Sequence, residues 1–207
     1  MIIFQRRNGE FQGVGERLLK IEVLALNTLQ QIGVLLIDTL FSLYIGAVIL
    51  RMLLGYVGAN FYNPLSQFLV KITNPVLIPL RRFIPSIGKI DTSAVILALG
   101  LTIVKIILLS LVVTGNVNII SIIIASIIDL IKVIIWIYII SLLVQAIMSW
   151  IGSAHGNYVT PLIQSLTTPL LRPIRNVVPY ISGMDLSPLV AILILNILLI
   201  IIEGLRF

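Results

Sequence analysis

Residues 74–93, NPVLIPLRRFIPSIGKIDTS, lie between two long apolar runs and return in close echo at residues 168–187 as TPLLRPIRNVVPYISGMDLS. Setting residue 44 on residue 138 aligns the two halves without a gap, at a constant offset of 94 positions. Tyr44, Gly58, Asn63, Thr73, Pro75, Pro79, Arg81, Pro85, Asp91 and Ser93 then meet Tyr138, Gly152, Asn157, Thr167, Pro169, Pro173, Arg175, Pro179, Asp185 and Ser187. Apolar helices can match through low complexity alone. Three prolines, an arginine and an aspartate in register do not, so the chain reads as a tandem repeat.

The flanking runs decide the solvent. The 207 residues are 59% hydrophobic and only 11% charged, with a mean hydropathy of +1.15. A soluble domain carries roughly 25% charged residues, so lipid must solvate much of this surface. Four segments reach the ~20 apolar residues that a crossing helix needs: about Ile32–Val57, about Ser93–Thr114, a run within Ile119–Ile151, and about Pro188–Leu205. β-branched residues abound, as in IISIIIASII, yet an isolated strand cannot satisfy its backbone in lipid, and helix prevails. The expected fold is an all-α membrane protein with four transmembrane helices in two tandem repeats. Residues 1–31 form a polar, amphipathic extension, 32–114 the first repeat, 115–118 a turn within TGNVN, and 119–207 the second. MIIFQRRNGEFQGVGERLLK has no apolar core followed by a small-residue cleavage site, so the first span is expected to be an uncleaved anchor.

Each repeat crosses twice, an even number, so both enter the membrane in the same direction, as parallel repeats. The two proline-rich arms then share one face of the membrane, and the termini share the other with TGNVN. Each arm is expected to hold two short amphipathic helices. Asn63–Pro64 pairs an N-cap with a proline at the first helical position. Leu65, Phe68, Leu69 and Ile72 form its apolar stripe, matched by Val159, Leu162, Ile163 and Leu166. A second start is expected at Asn74–Pro75 and Thr168–Pro169, with Pro85 and Pro179 as stops. Ser93 and Ser187 are placed to cap the next span, Gly88 and Gly183 to turn the chain.

At these residues the chain resembles the YggT/YlmG family of small integral membrane proteins, which in plastids includes a cytochrome b6 assembly factor. The signature is a span, a stretch running from NP through T-x-P-h-h-x-P-h-R to hD-h-S (h for apolar), and a second span. It reads here from Asn63 to Ser93 and from Asn157 to Ser187. The first repeat has Ile78 and Ala94 where the second has Arg172 and Pro188; the second has Tyr158 where the first has Pro64. The resemblance implies a multi-pass protein of the bacterial cytoplasmic membrane. It also implies roles in membrane organisation and assembly: division and nucleoid distribution, cofactor attachment to a cytochrome, and osmotic tolerance.

The net charge of +6 would suggest nucleic acid as a partner of a soluble protein. Beside apolar spans it points instead to anionic headgroups, with no direct nucleic-acid contact. Arg81, Arg82, Arg172, Arg175, Asp91 and Asp185 are the candidate headgroup or partner contacts, set against plain capping and interfacial anchoring. Within the spans, Asp129 and Lys132 are three apart on one helix face and are expected to pair, with Lys105 approaching from the second span. These three are candidates for an intramembrane ion pair; Asp38, Arg51 and Glu203 are expected at the interfaces.

No catalytic, cofactor or metal site is expected. The chain has no cysteine, which removes thiolate chemistry. His155 is the sole histidine, in the loop GSAHGN, where the sequence arranges no nucleophile beside it with an orienting acid, and no phosphate loop or dinucleotide fingerprint appears. The expected function is a non-enzymatic scaffold or assembly factor that meets the bilayer and other membrane proteins or itself. The alternative is a small transport or channel component for ions or osmolytes. Six basic residues on the arm side against five on the terminal side leave orientation open.

Overall fold

The computed structural model describes the backbone of residues 2–113, 115, 118–151, 158–178 and 185–204, and the side chains of these from residue 27 onward except 149–151. Six helices follow in order: α1 (Ile2–Tyr56), α2 (Pro64–Phe83), α3 (Thr92–Val113), α4 (Ile119–Ile151), α5 (Val159–Arg175) and α6 (Ser187–Gly204). Among the described residues there is no strand, only an isolated bridge between Ile87 and Ile90 that closes a turn on Gly88, at φ 61°.

Four stretches have the length and apolarity of membrane spans: Asn27–Tyr56 of α1, Thr92–Val113, Ile119–Met148 of α4, and Ser187–Gly204. No more than 22% of the most apolar window of any of them is buried inside the protein. Side chains such as Leu35, Leu40, Leu43, Ile120, Leu193 and Ile200 stand outward. Lipid is the only solvent that tolerates this surface.

The repeats set the packing. α1 lies along α3 and α4 along α6, while α3 and α1 both contact α4 and hold the halves together. The core of the first repeat gathers Ile45, Val48, Ile49, Leu77, Ala94 and Ala98, and Leu166 of the second arm joins it. The second repeat reproduces the pattern with Ile139, Leu142, Leu171 and Ala191, the counterparts of Ile45, Val48, Leu77 and Leu97. Asn63 binds the two arms to each other: its Oδ1 accepts from Leu65 N–H at 2.9 Å as the cap of α2, and its Nδ2 donates to the Tyr158 carbonyl at 2.6 Å.

The arms differ from the sequence expectation in one respect. Each is a single helix, not two, with Pro75 and Pro79 inside α2 and Pro169 and Pro173 inside α5. Asn74 and Thr168 are therefore helix residues and cap nothing. All four prolines lie on the exposed side. There, water or headgroups can solvate the carbonyls one turn back that a proline leaves without a donor, and the helix continues. Thr73 also donates to the Leu69 carbonyl and Thr167 to that of Ile163, at 2.6 and 2.7 Å, on the protein side.

The side of α2 turned to the bundle is Ser66, Thr73 and Leu77, all buried, while Phe68, at 59% exposure, faces outward. Small and hydroxyl-bearing residues let helices approach closely in lipid, and the apolar stripe meets acyl chains. The helix starts differ too. The backbone N–H groups at the entry of α3 and α6 are accepted by Asp91 (Ala94 N–H, 3.3 Å) and Asp185 (Ser187 N–H, 2.9 Å), not by Ser93 and Ser187. An aspartate at the helix entry also complements the dipole. Ser93 Oγ instead donates to the Ile84 carbonyl at 2.7 Å. The expected cap Asn157 and turn residue Gly183 lie outside the described residues.

Absence of cysteine makes the topology directly testable. Single cysteines at Tyr62 and Tyr158 should react with an impermeant maleimide from one side of sealed vesicles, and one at Ile119 from the other. Labelling of positions 62 and 158 from opposite sides would overturn the parallel arrangement.

Candidate functional site

Charged side chains gather at the two ends of the bundle in different ways. At the arm end the set is duplicated. The Arg81 guanidinium pairs with Asp91, whose carboxylate also caps α3. Arg175 reaches Asp185 through Nε at 3.0 Å and Nη2 at 2.9 Å. Each pair ties the end of an arm to the entry of the following span. Burial pushes the Asp185 carboxyl up, but hydrogen bonds from Ser187 and from Arg175, with the arginine's charge, outweigh it and hold the group below its ordinary value. Arg82 and Arg172 stay exposed on the arms.

Arg51 was expected to snorkel to the interface, yet it is 7% exposed. It lies on α1 five residues before the helix ends at Tyr56, about 8 Å along the axis. Its Nη1 donates to Thr73 Oγ at 2.6 Å. In the second repeat Gln145 stands at the counterpart of Arg51, and its side-chain amide meets the Thr167 hydroxyl. Span and arm are thus stitched by the same polar contact twice, once with a cation and once with an amide. The sequence held the signal: Arg51 and Gln145 are polar at one register of otherwise apolar spans, beside the aligned Thr73 and Thr167.

Arg51 faces a cleft of about 630 Å³ at the arm end of the first repeat. Arg81, Lys89 and Asp91 line it with Arg51, and Phe61 and Ile84 contribute apolar wall.

At the other end the charges are not duplicated. Lys105 of α3 is 4% exposed and sits between α1 and α4. Its ammonium lies 2.5 Å from Asp129 and 3.4 Å from Asp38, and it donates to Ser42 Oγ at 3.3 Å. Lys132 does not pair with Asp129. It reaches across to Glu203 of α6 at 2.7 Å, because Asp129 is already taken up by the buried lysine. Asp38 and Glu203, expected as interfacial groups, are each drawn into a pair between helices. Leu199 and Leu35 are the repeat counterparts of Lys105 and Asp129. The Lys105–Asp129 bridge joins the two halves, whereas Lys105–Asp38 and Lys132–Glu203 each close one hairpin.

His155 lies outside the described residues. Among the described residues no group of three or more His, Asp or Glu side chains is placed to hold a metal ion.

The comparisons with known proteins agree with the internal duplication. The CCB3/YggT family model matches residues 30–112 and again 124–206. An uncharacterised protein from the proC 3′ region of Vibrio alginolyticus is 42% identical over 161 residues, covering 75% of this chain and 84% of that protein. The Escherichia coli protein YggT is 41% identical over 163 residues, covering 79% and 85%. An uncharacterised Pseudomonas aeruginosa protein is 37% identical over 168 residues, covering 80% and 85%. No solved structure matches the chain.

Two predictions follow from the charges. Lys105→Ala leaves carboxylates facing apolar surface and should cost about 3–5 kcal/mol in detergent unfolding. Replacing Lys105 and Asp129 together by leucine, their repeat counterparts, should recover most of that loss. The second concerns pH. A folded-state value held below the ordinary ~3.9 of aspartate gives Asp185 a stabilising contribution that is full above that value and lost as pH falls through the lowered one. The melting-temperature gap between the parent and Asp185→Asn should therefore stay constant down to about pH 4 and narrow as the pH falls further. A gap that widens would refute the assignment.

Proposed function

The chain belongs to the CCB3/YggT family, and from that premise we propose that it works as a non-enzymatic scaffold of the bacterial cytoplasmic membrane. In this reading the paired arms form a platform at one lipid–water boundary, against which other membrane proteins, or a second copy, assemble. The observation that carries it is the division of labour among the arginines. Arg81 and Arg175 are tied to aspartates of their own repeats and fix the arms. Arg82 remains exposed beside its chain neighbour Phe83, itself 84% exposed, and on the second arm Arg172 and, separately, Val177 at 82% are exposed too. An exposed cation next to an exposed large apolar side chain suits a surface that meets anionic headgroups and an acidic or amphipathic protein face.

The reading makes the arms matter through what they touch and not through chemistry. A photo-crosslinking residue at position 83 or 177, in intact cells, should yield discrete protein adducts. Combined Arg82→Glu and Arg172→Glu substitution should reduce them several-fold without changing the amount of protein in the membrane. Adducts with lipid alone would sink the scaffold role.

A second reading, a small ion or osmolyte transport component, draws on a different observation: Lys105 buried between Asp38 and Asp129 within the spans. Intramembrane ionisable groups commonly mark ion paths, though they also lock helices together. Flux in proteoliposomes that vanishes with Asp129→Asn, while the protein stays folded, would establish transport in place of the scaffold. Unchanged background leak in both would leave the cluster as a structural lock.

A further inference from the structure

The arm-end cleft of the first repeat has a property that the scaffold reading does not use. Arg51 is a guanidinium nine-tenths buried, on a membrane span, whose named partner is the neutral Thr73 hydroxyl. No carboxylate lies within 4.0 Å of it among the described residues; Asp91, the acid of the cleft, is paired with Arg81. Shutting a guanidinium away from water carries a desolvation cost, which one hydrogen bond to a neutral hydroxyl offsets only in part. The cleft beside it also holds Arg81 and Lys89. With Asp91 counted, three cations and one anion line a single cavity open at the membrane boundary.

We propose that this cleft binds one phosphate-bearing anion per chain, with Arg51, Arg81 and Lys89 as its ligands, and that the phosphate is the headgroup of an anionic phospholipid. Three features fit that occupant. The net surplus of two positive charges matches a phosphate group, and guanidinium forks match its oxygens. The volume, about 630 Å³, lies in the ~300–1,000 Å³ range of ligand sites and exceeds what phosphate alone would fill. Part of the lining is apolar, Phe61 and Ile84 among it, which suits a glycerol and the first acyl carbons.

The repeat supplies its own control. In the second half Gln145 replaces Arg51 and Gly183 replaces Lys89, so two of the three cations are missing while Arg175 and Asp185 persist. The Arg–Asp pair is therefore the common structural part, and the extra cations are peculiar to the first repeat. One anion per chain, not two, is the expected stoichiometry. The inference stands apart from the scaffold reading, since a chain that captures no partner can still hold a lipid.

The test uses the full chain, delipidated in a neutral detergent, with phosphatidic acid, phosphatidylcholine and inorganic phosphate as probes in native mass spectrometry and thermal unfolding. One phosphatidic acid per chain should bind saturably and raise the melting temperature, with phosphatidylcholine giving neither effect. Arg51→Gln and Lys89→Gln should each weaken binding about tenfold. Lys89 lies on an exposed turn, so its variant tests the site even if Arg51→Gln fails to fold. Inorganic phosphate displacing the lipid at comparable concentration would assign the same cations to a soluble phosphate. Binding of two lipids with equal affinity, binding indifferent to Lys89→Gln, or no saturable binding at all would overturn the proposal.

Discussion

A helix of 20 residues is about 30 Å long, enough to cross the hydrocarbon core, and α2 has 20 residues. The rest of the architecture depends on its not crossing. Lys71, Arg81 and Arg82 fall along it, and its two internal prolines each leave a carbonyl that needs water or a headgroup. Together these make the lipid–water boundary the only depth at which α2 is solvated on all sides. The Arg81–Asp91 pair then fixes where the arm ends and the next span begins. If the arm were to insert, the count of crossings per repeat would become odd and the second repeat would enter the membrane upside down.

Much of this was legible in the residues. The spans follow from apolar length, and the parallel relation follows from counting crossings. The Arg–Asp register survives duplication, which marks it as part of the fold. Other features were not legible because they depend on which of two permitted outcomes tertiary surroundings choose. Asn74–Pro75 has the residue types of a helix start, but a proline on a solvated face is also compatible with a helix that carries on. Asp129 and Lys132 have the spacing of an ion pair on one helix face. A buried Lys105 competes for the same carboxylate and wins, since a cation shut away from water gains more from it than a less buried one. Burial of Arg51 against Thr73 was not legible for a similar reason: position near a span's end does not show that an arm lies across it.

The two ends of the bundle solve different problems. The arm end repeats its polar contacts, with Arg51–Thr73 and Gln145–Thr167 joining span to arm and the two Arg–Asp pairs joining arm to span. These maintain each hairpin. The opposite end has Lys105, Asp38, Asp129, Lys132 and Glu203 in bridges that run between helices, with apolar counterparts at Lys105 and Asp129. Of these, Lys105–Asp129 is the bridge that joins the hairpins, and its lack of a mirror-image mate makes their docking lopsided. Dispersion alone discriminates weakly between near-identical apolar helices in lipid, so ionic contacts of low exposure are a suitable means of choosing.

The hydrogen bond from Asn63 to the Tyr158 carbonyl joins the two hairpins at their arms, and Arg51 of one hairpin stands where Gln145 stands in the other. Had the hairpins been separate copies meeting about a two-fold axis, every side chain at the seam would appear twice, and a cation placed at one site would be forced on the other. Continuity of the chain removes that obligation. Each half is free to drift toward a specialised task while its neighbour keeps the ancestral geometry, so a gene fusion becomes the step that lets a symmetric frame acquire a left and a right.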